Sequence, residues 1–195
     1  GSLDSLGDGT LGPTEEIVSR YQNSAWSLLN RDGRSKKGTH VGRFGEILAV
    51  RLVGPDGGEV GAVRVSAEVW VKMLFRMARG RVHVRPLVDF HTQGVHAFRS
   101  VRPEELSIEE PATYSASVRI PAHLLSETVY SLRVALKIRH DKGEDALIEP
   151  NAVTFRVYDT DEARSARGTF RKLMTGVVTP KLDWSIRREA DADGG

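Results

Sequence analysis

From Phe44 onward, apolar side chains recur at every second position. Ile47, Ala49 or Val50, Leu52 and Val53 open the pattern, and Gly54-Pro55-Asp56-Gly57-Gly58 ends it in a turn. Ala67, Val69, Val71, Met73 and Phe75 then alternate with Glu68, Trp70, Lys72, Leu74 and Arg76. Val84, Pro86, Val88 and Phe90 alternate with Arg85, Leu87, Asp89 and His91, and Gln93-Gly94 turns the chain into a partner strand over 95–98. A shorter run, 117–120, stops at Pro121. Tyr130, Leu132, Val134, Leu136 and Ile138 alternate with Ser131, Arg133, Ala135, Lys137 and Arg139, and Val153, Phe155 and Val157 with Thr154, Arg156 and Tyr158. A last strand is expected over 176–186. Pro180 inside it points to a sheet margin, because proline cannot donate to a ladder. Strict alternation marks antiparallel strands with one buried and one solvated face. About eight such strands separated by turns predict an all-β sandwich or barrel.

The first residues read differently. Thr14 is placed to cap a helix whose first turn carries Glu15 and Glu16, with Ile17, Val18 and Tyr21 at helical spacing. Residues 31–42 (RDGRSKKGTHVG) are basic and Gly-rich without periodicity, the signature of a linker. The expected organisation is a helix and linker over 1–42, a β-sandwich over 43–186 and a frayed tail over 187–195. Gly1-Ser2 resembles a cloning remnant, so the numbering is expected to begin inside a longer natural chain.

Composition removes several function classes. With 39% hydrophobic and 28% charged residues in 195, the chain has the make-up of a folded domain. The absence of cysteine excludes disulfide scaffolds, thiolate nucleophiles and Cys-ligated metals. A balance of 28 basic and 26 acidic residues lacks the dense basic stripe of a nucleic-acid binder. No apolar run approaches the ~20 residues that cross a bilayer.

The candidate chemistry is sparse. Asp89, His91 and His96 lie near one hairpin, but no His-x-His pair sets two imidazoles on one strand face, and solvated strand histidines account for them without a metal. No calcium loop, Gly-x-Ser-x-Gly or Walker A pattern occurs. Glu68 and Asp89 are surface carboxylates from which no catalytic pair stands out, so no enzyme is expected and no cofactor is implied. The solvated sheet face is the informative feature. Trp70, Lys72, Arg85, Asp89, His91, Arg133 and Lys137 are expected to share it. An indole stacks on the C–H face of a sugar while charged groups meet its hydroxyls, so this combination suits a glycan. Trp70 fits equally well beneath a loop or in a dimer interface, which would make the domain a protein-interaction module.

Taken in order, these segments resemble the C-terminal domain of Wzt-type proteins, the ATP-binding subunits of ABC transporters that export O-antigen polysaccharide. The resemblance runs through residues 45–52 (GEILAVRL) with Gly57-Gly58, 84–98 (VRPLVDFHTQGVHAF), Ile120-Pro121, Leu124-Leu125, Tyr130-Ser131-Leu132, 152–157 (AVTFRV), and 176–178 through Trp184. Residues 12–21 (GPTEEIVSRY) look like the helix that ends the nucleotide-binding domain. Thr128-Val129 replaces a glycine before Tyr130, and Arg99-Ser100 an Asn-Thr pair, two departures consistent with a different glycan. The resemblance implies an immunoglobulin-like or jelly-roll sandwich. It also implies a homodimer with exchanged C-terminal strands, for which 162–172 would be the polar hinge. The implied partners are a lipid-linked polysaccharide and, through the full-length protein, the exporter's transmembrane subunits. The implied location is the cytoplasm, peripheral to the inner membrane, with ATP hydrolysis in another domain.

Overall fold

The computed structural model describes residues 41–160, 166–170, 174 and 176–186. The expected helix, most of the linker and the tail lie outside the described residues. Within them the chain forms ten strands and no helix: β1 (Val41–Gly42), β2 (Gly45–Val53), β3 (Ala62–Arg64), β4 (Val69–Met77), β5 (Val82–Thr92), β6 (Val95–Val101), β7 (Leu106–Ile108), β8 (Ala112–Ile120), β9 (Val129–His140) and β10 (Gly143–Tyr158). One sheet has the order β1-β2-β4-β8. The other has the order β3-β10-β9-β5-β6, and β7 pairs with the same edge of β5 as β6.

The inward positions are those the alternation marks. Val69, Val71, Met73 and Phe75 from β4 meet Val84, Val88 and Phe90 from β5 and Leu132, Val134 and Leu136 from β9, all buried. The six-stranded sheet adds an aromatic row. Phe98 stacks on Phe90 at 4.4 Å, Phe90 meets Tyr130 edge-on at 6.5 Å, and Tyr130 stacks on Phe155 at 5.6 Å. Such pairs contribute about 0.5–1.5 kcal/mol each beyond the area they bury.

The turns follow local chemistry. Gln93 and Gly94 both have positive φ (49° and 77°), the geometry a two-residue hairpin needs to match strand twist. After β2, Gly54 N donates to Gly58 O, Gly57 takes φ 79°, and Asp56 Oδ1 accepts from Gly58 N. Pro86 occupies the middle of β5, where a missing N–H would ordinarily be costly. Its carbonyl accepts from Arg102 N, so its donor-less side faces the gap where β6 ends and β7 has yet to begin.

Three expectations need correction. The sheets are not wholly antiparallel, since β3 runs parallel to β10. Pairing reaches further than the periodicity suggested, because β8 starts at Ala112 and β10 at Gly143, and the polar residues there are held by backbone bonds that side-chain pattern does not reveal. No strand forms over 176–186. Among the described residues its only ladder contact is the bridge Leu125–Val178, with Thr179 N and Lys181 N bonded to the carbonyls of Leu124 and His123. Pro180 interrupts the donors, and no strand among the described residues pairs with Leu182, Trp184 or Ile186, which are exposed.

Candidate functional site

The seven residues expected on one face fall on two. Trp70 and Lys72 project from β4 on the outer side of the four-stranded sheet, because their neighbours Val69, Val71 and Met73 point into the core. Trp70 is half-buried and lies opposite Val53 and Arg119, while Lys72 lies opposite Arg51 and Ser117. Arg85, Asp89, His91, Arg133 and Lys137 project from β5 and β9 on the outer side of the other sheet, across the sandwich. Period-two alternation tells which side of its own sheet a residue takes, but not which sheet its strand joins.

On the six-stranded face the structure builds one ordered cluster. Asp89 is 1% exposed, yet lies on an outward-facing position. Arg99 Nε and Nη2 donate to its two oxygens at 2.6 and 3.1 Å, Arg133 Nη1 donates at 2.8 Å, and His96 Nε2 lies 3.2 Å from Oδ1. Burial pushes this carboxyl's pKa up, but the bonds from Arg99, His96 and Arg133 outweigh it and hold it down at about 2. His91 sits beside the cluster, its ring 5.2 Å from that of His96, and Ser131 opposite it donates to Asn151 Oδ1 at 2.8 Å.

Further along the same face, a second carboxylate gathers a second set of cations. Glu105, from the β6–β7 connection, accepts from Arg139 Nη2 at 2.5 Å and Nε at 3.2 Å, and Arg85 Nη2 lies 3.6 Å away. The Arg139 bonds hold its carboxyl below the usual range. Lys137 stands opposite Arg85. Between the clusters, Leu87, Ala135, Val101 and Ile148 form one register row on the outer side of the sheet. Leu87 and Ala135 are buried there, so Val101 and the half-buried Ile148 are the apolar side chains the row presents between the charged groups.

Arg99 and Glu105 escaped the sequence reading. Counting back from the Gln93-Gly94 turn places Phe98, not Arg99, opposite Asp89. A bulge between Phe90 and His91 moves the register by one, so that Phe98 meets Phe90 inside and Arg99 meets Asp89 outside. The available signal was physical: the unshifted register would have sent Arg99 into the core and Phe98 into water.

The carboxylates Glu68 and Asp89 do not face each other. Glu68 pairs with Arg119 at 3.2 Å beside the four-stranded sheet, whereas Asp89 belongs to the other sheet and is fixed as an anion. A glycosidase acid requires a raised pKa and a facing carboxylate. A cleft of about 530 Å³ opens between β8 and the β5–β6–β7 edge, with Met73, Pro86, Val88, Leu106 and Val118 in its wall, and its only charged lining residue is Arg102. Among the described residues, no group of three or more His, Asp or Glu side chains is placed to hold a metal ion. No helix among them is long and apolar enough to cross a membrane.

No protein-family model matches the chain, and no curated protein matches it. Among solved structures it is similar to one described as the crystal structure of the C-terminal domain of wzt. The TM-score is 0.61 and the identity 13%, over 82% of this chain and 95% of that one. At that identity the likeness establishes a shared fold. The all-β arrangement of two sheets expected from the sequence is the one observed.

Proposed function

We propose that this domain binds a polysaccharide without transforming it, on the outer face of the six-stranded sheet. In this reading it serves as the substrate-reading module of a polysaccharide exporter's ATP-binding subunit, at the cytoplasmic side of the membrane. The observation that carries it is the ordered pair of guanidinium–carboxylate clusters around Asp89 and Glu105 on one outer face, with the accessible Val101 and Ile148 between them. A sugar ring has apolar C–H faces and a rim of polar groups, and fixed guanidinium groups beside accessible aliphatic side chains are complementary to both. Arg85, Asp89, His91, Arg133 and Lys137 are its site residues, joined by Arg99 and Glu105. The Wzt-like fold supports the transport setting.

Trp70 and Lys72 belong to the opposite outer face, and a polymer reading them would occupy a separate surface. Calorimetric titration of purified bacterial polysaccharides against wild type, Arg133→Ala and Trp70→Ala separates the two. The expected result is binding that weakens about tenfold or more in Arg133→Ala, the range for losing a charge-assisted bidentate-capable contact, and is unchanged in Trp70→Ala. The reverse pattern would move the site to the four-stranded face, and no binding to any polysaccharide would remove the glycan reading.

A second reading, a protein-interaction surface, is favoured by one observation. Leu182, Trp184 and Ile186 are 65%, 88% and 94% exposed. Homodimerisation through 176–186 accommodates that stripe and is compatible with glycan binding elsewhere on the domain.

A further inference from the structure

Two carboxylates of the six-stranded face, Asp89 and Glu105, are engaged by cations. Both oxygens of Asp89 accept from guanidinium groups, and Glu105 is held by Arg139 with Arg85 alongside. Around these clusters, unused donors remain directed at solvent. Arg99 Nη1, Arg133 Nη2 and Lys137 Nζ have no acceptor among the described residues. A neutral sugar hydroxyl donates as well as accepts, and beside these three donors, away from His91 and Ser131, its own proton gains no partner from them. Carboxylate and phosphate oxygens only accept, which makes them the matching chemistry.

Charge agrees with this. On β5, β6, β9 and β10 the outward positions carry six permanent cations, Arg85, Arg99, Arg133, Lys137, Arg139 and Arg156, against the carboxylates Asp89 and Glu144; Glu105 adds a third from the loop. That local excess exceeds the formal +2 of the entire chain, so the positive charge is concentrated on this one face. Arg133 and Lys137 stand four residues apart on β9, about 13 Å at ~3.3 Å per residue. A polymer with repeated charges reaches both, and a single sugar does not.

We infer that the polymer read by this face is anionic, carrying carboxylate or phosphate groups that meet Arg99, Arg133 and Lys137. The inference rests on the polysaccharide reading above and narrows it. Two matched pairs of polymers test it with the full chain: polygalacturonate against its carboxyl-reduced form, and phosphomannan against its dephosphorylated form. The expected result is at least about tenfold tighter binding to the acidic member of one pair, weakening as salt is added. The pair that responds tells carboxylate from phosphate. Lys137→Gln, which breaks no bond within the protein, should weaken acidic binding about three- to tenfold with an unchanged Tm. Arg133→Gln should weaken it further. A neutral polymer bound as tightly as its acidic partner overturns the anion assignment and leaves the polysaccharide reading standing. Binding to none of the four overturns the assignment too, and the polysaccharide reading falls with it only if the purified polysaccharides also fail to bind.

Discussion

Asp89 occupies a position that alternation assigns to solvent, yet its side chain is almost wholly covered. A buried carboxylate is costly unless its oxygens are paired, and here Arg99 and Arg133 supply three hydrogen bonds while their own stems roof the site. Folding therefore lowers the pKa of this group, to about 2. A depressed carboxyl contributes its full stabilisation above the unfolded aspartate range near pH ~4 and loses it as pH falls through the folded value. The expected contribution is on the order of 2 kcal/mol at neutral pH. Urea titrations of wild type and Asp89→Asn across pH 7 to 1.5 check it. Wild type should be the more stable above pH ~4, and the two should converge near pH 2. Parallel curves throughout would show that the cluster does not set the acid dependence. Because Asp89 also fixes the guanidiniums, the same variant should weaken polymer binding at pH 7, where its ionisation is not in question.

At the scale of elements, the strands were legible wherever side chains alternate, and illegible where backbone pairing alone holds them. β4, β5 and β9 carry five apolar positions in strict alternation or nearly so, which fixes their buried faces from sequence. β3 and β7 are three residues each and offer no period to read. β10 changes register at Glu149–Val153, where Pro150 and the positive φ of Asn151 break the pattern, so only its second half was visible. Which sheet each strand joins depends on pairings between distant segments, and that is why Trp70 was placed with Arg133 when the two lie on opposite outer faces. One element contact has energetic weight beyond its size. Tyr130, fully buried at the start of β9, takes a bond from Ser126 N at 3.0 Å and donates to Val177 O at 2.6 Å. It thereby ties the segment after 176 to the sandwich. Tyr130→Phe should cost about 1–3 kcal/mol, since Ser126 N and the Val177 carbonyl lose a partner in a buried setting. It should also accelerate proteolysis within 176–186. Equal cleavage rates in variant and wild type would show that the hydroxyl does not anchor the segment.

For the molecule as a whole, that anchored segment is where self-association is to be sought. Beyond Lys181, Leu182, Trp184 and Ile186 alternate with Asp183 and Ser185, a spacing that would set the three apolar side chains on one side of an extended segment. An indole alone offers roughly 150–250 Å² of surface, and leaving it with two aliphatic neighbours in water is unfavourable by several kcal/mol at about 25 cal/mol per Å². Their own sandwich does not cover them. A second copy can, and a two-fold arrangement would cover both stripes at once, which is why the twin contact is favoured over a one-sided one. The glycan site proposed on β5, β6 and β9 draws no residue from 176–186, so each copy of such a dimer would carry its own. Light scattering across a hundredfold concentration range should give twice the chain mass for wild type, and the single-chain mass for the double variant Leu182→Ser/Trp184→Ser. The double variant should keep its thermal midpoint at low concentration, because these side chains add nothing to the fold of one copy. A concentration-independent single-chain mass in wild type would overturn the dimer. It would leave polysaccharide binding untouched, since the Asp89 and Glu105 clusters are complete within one chain.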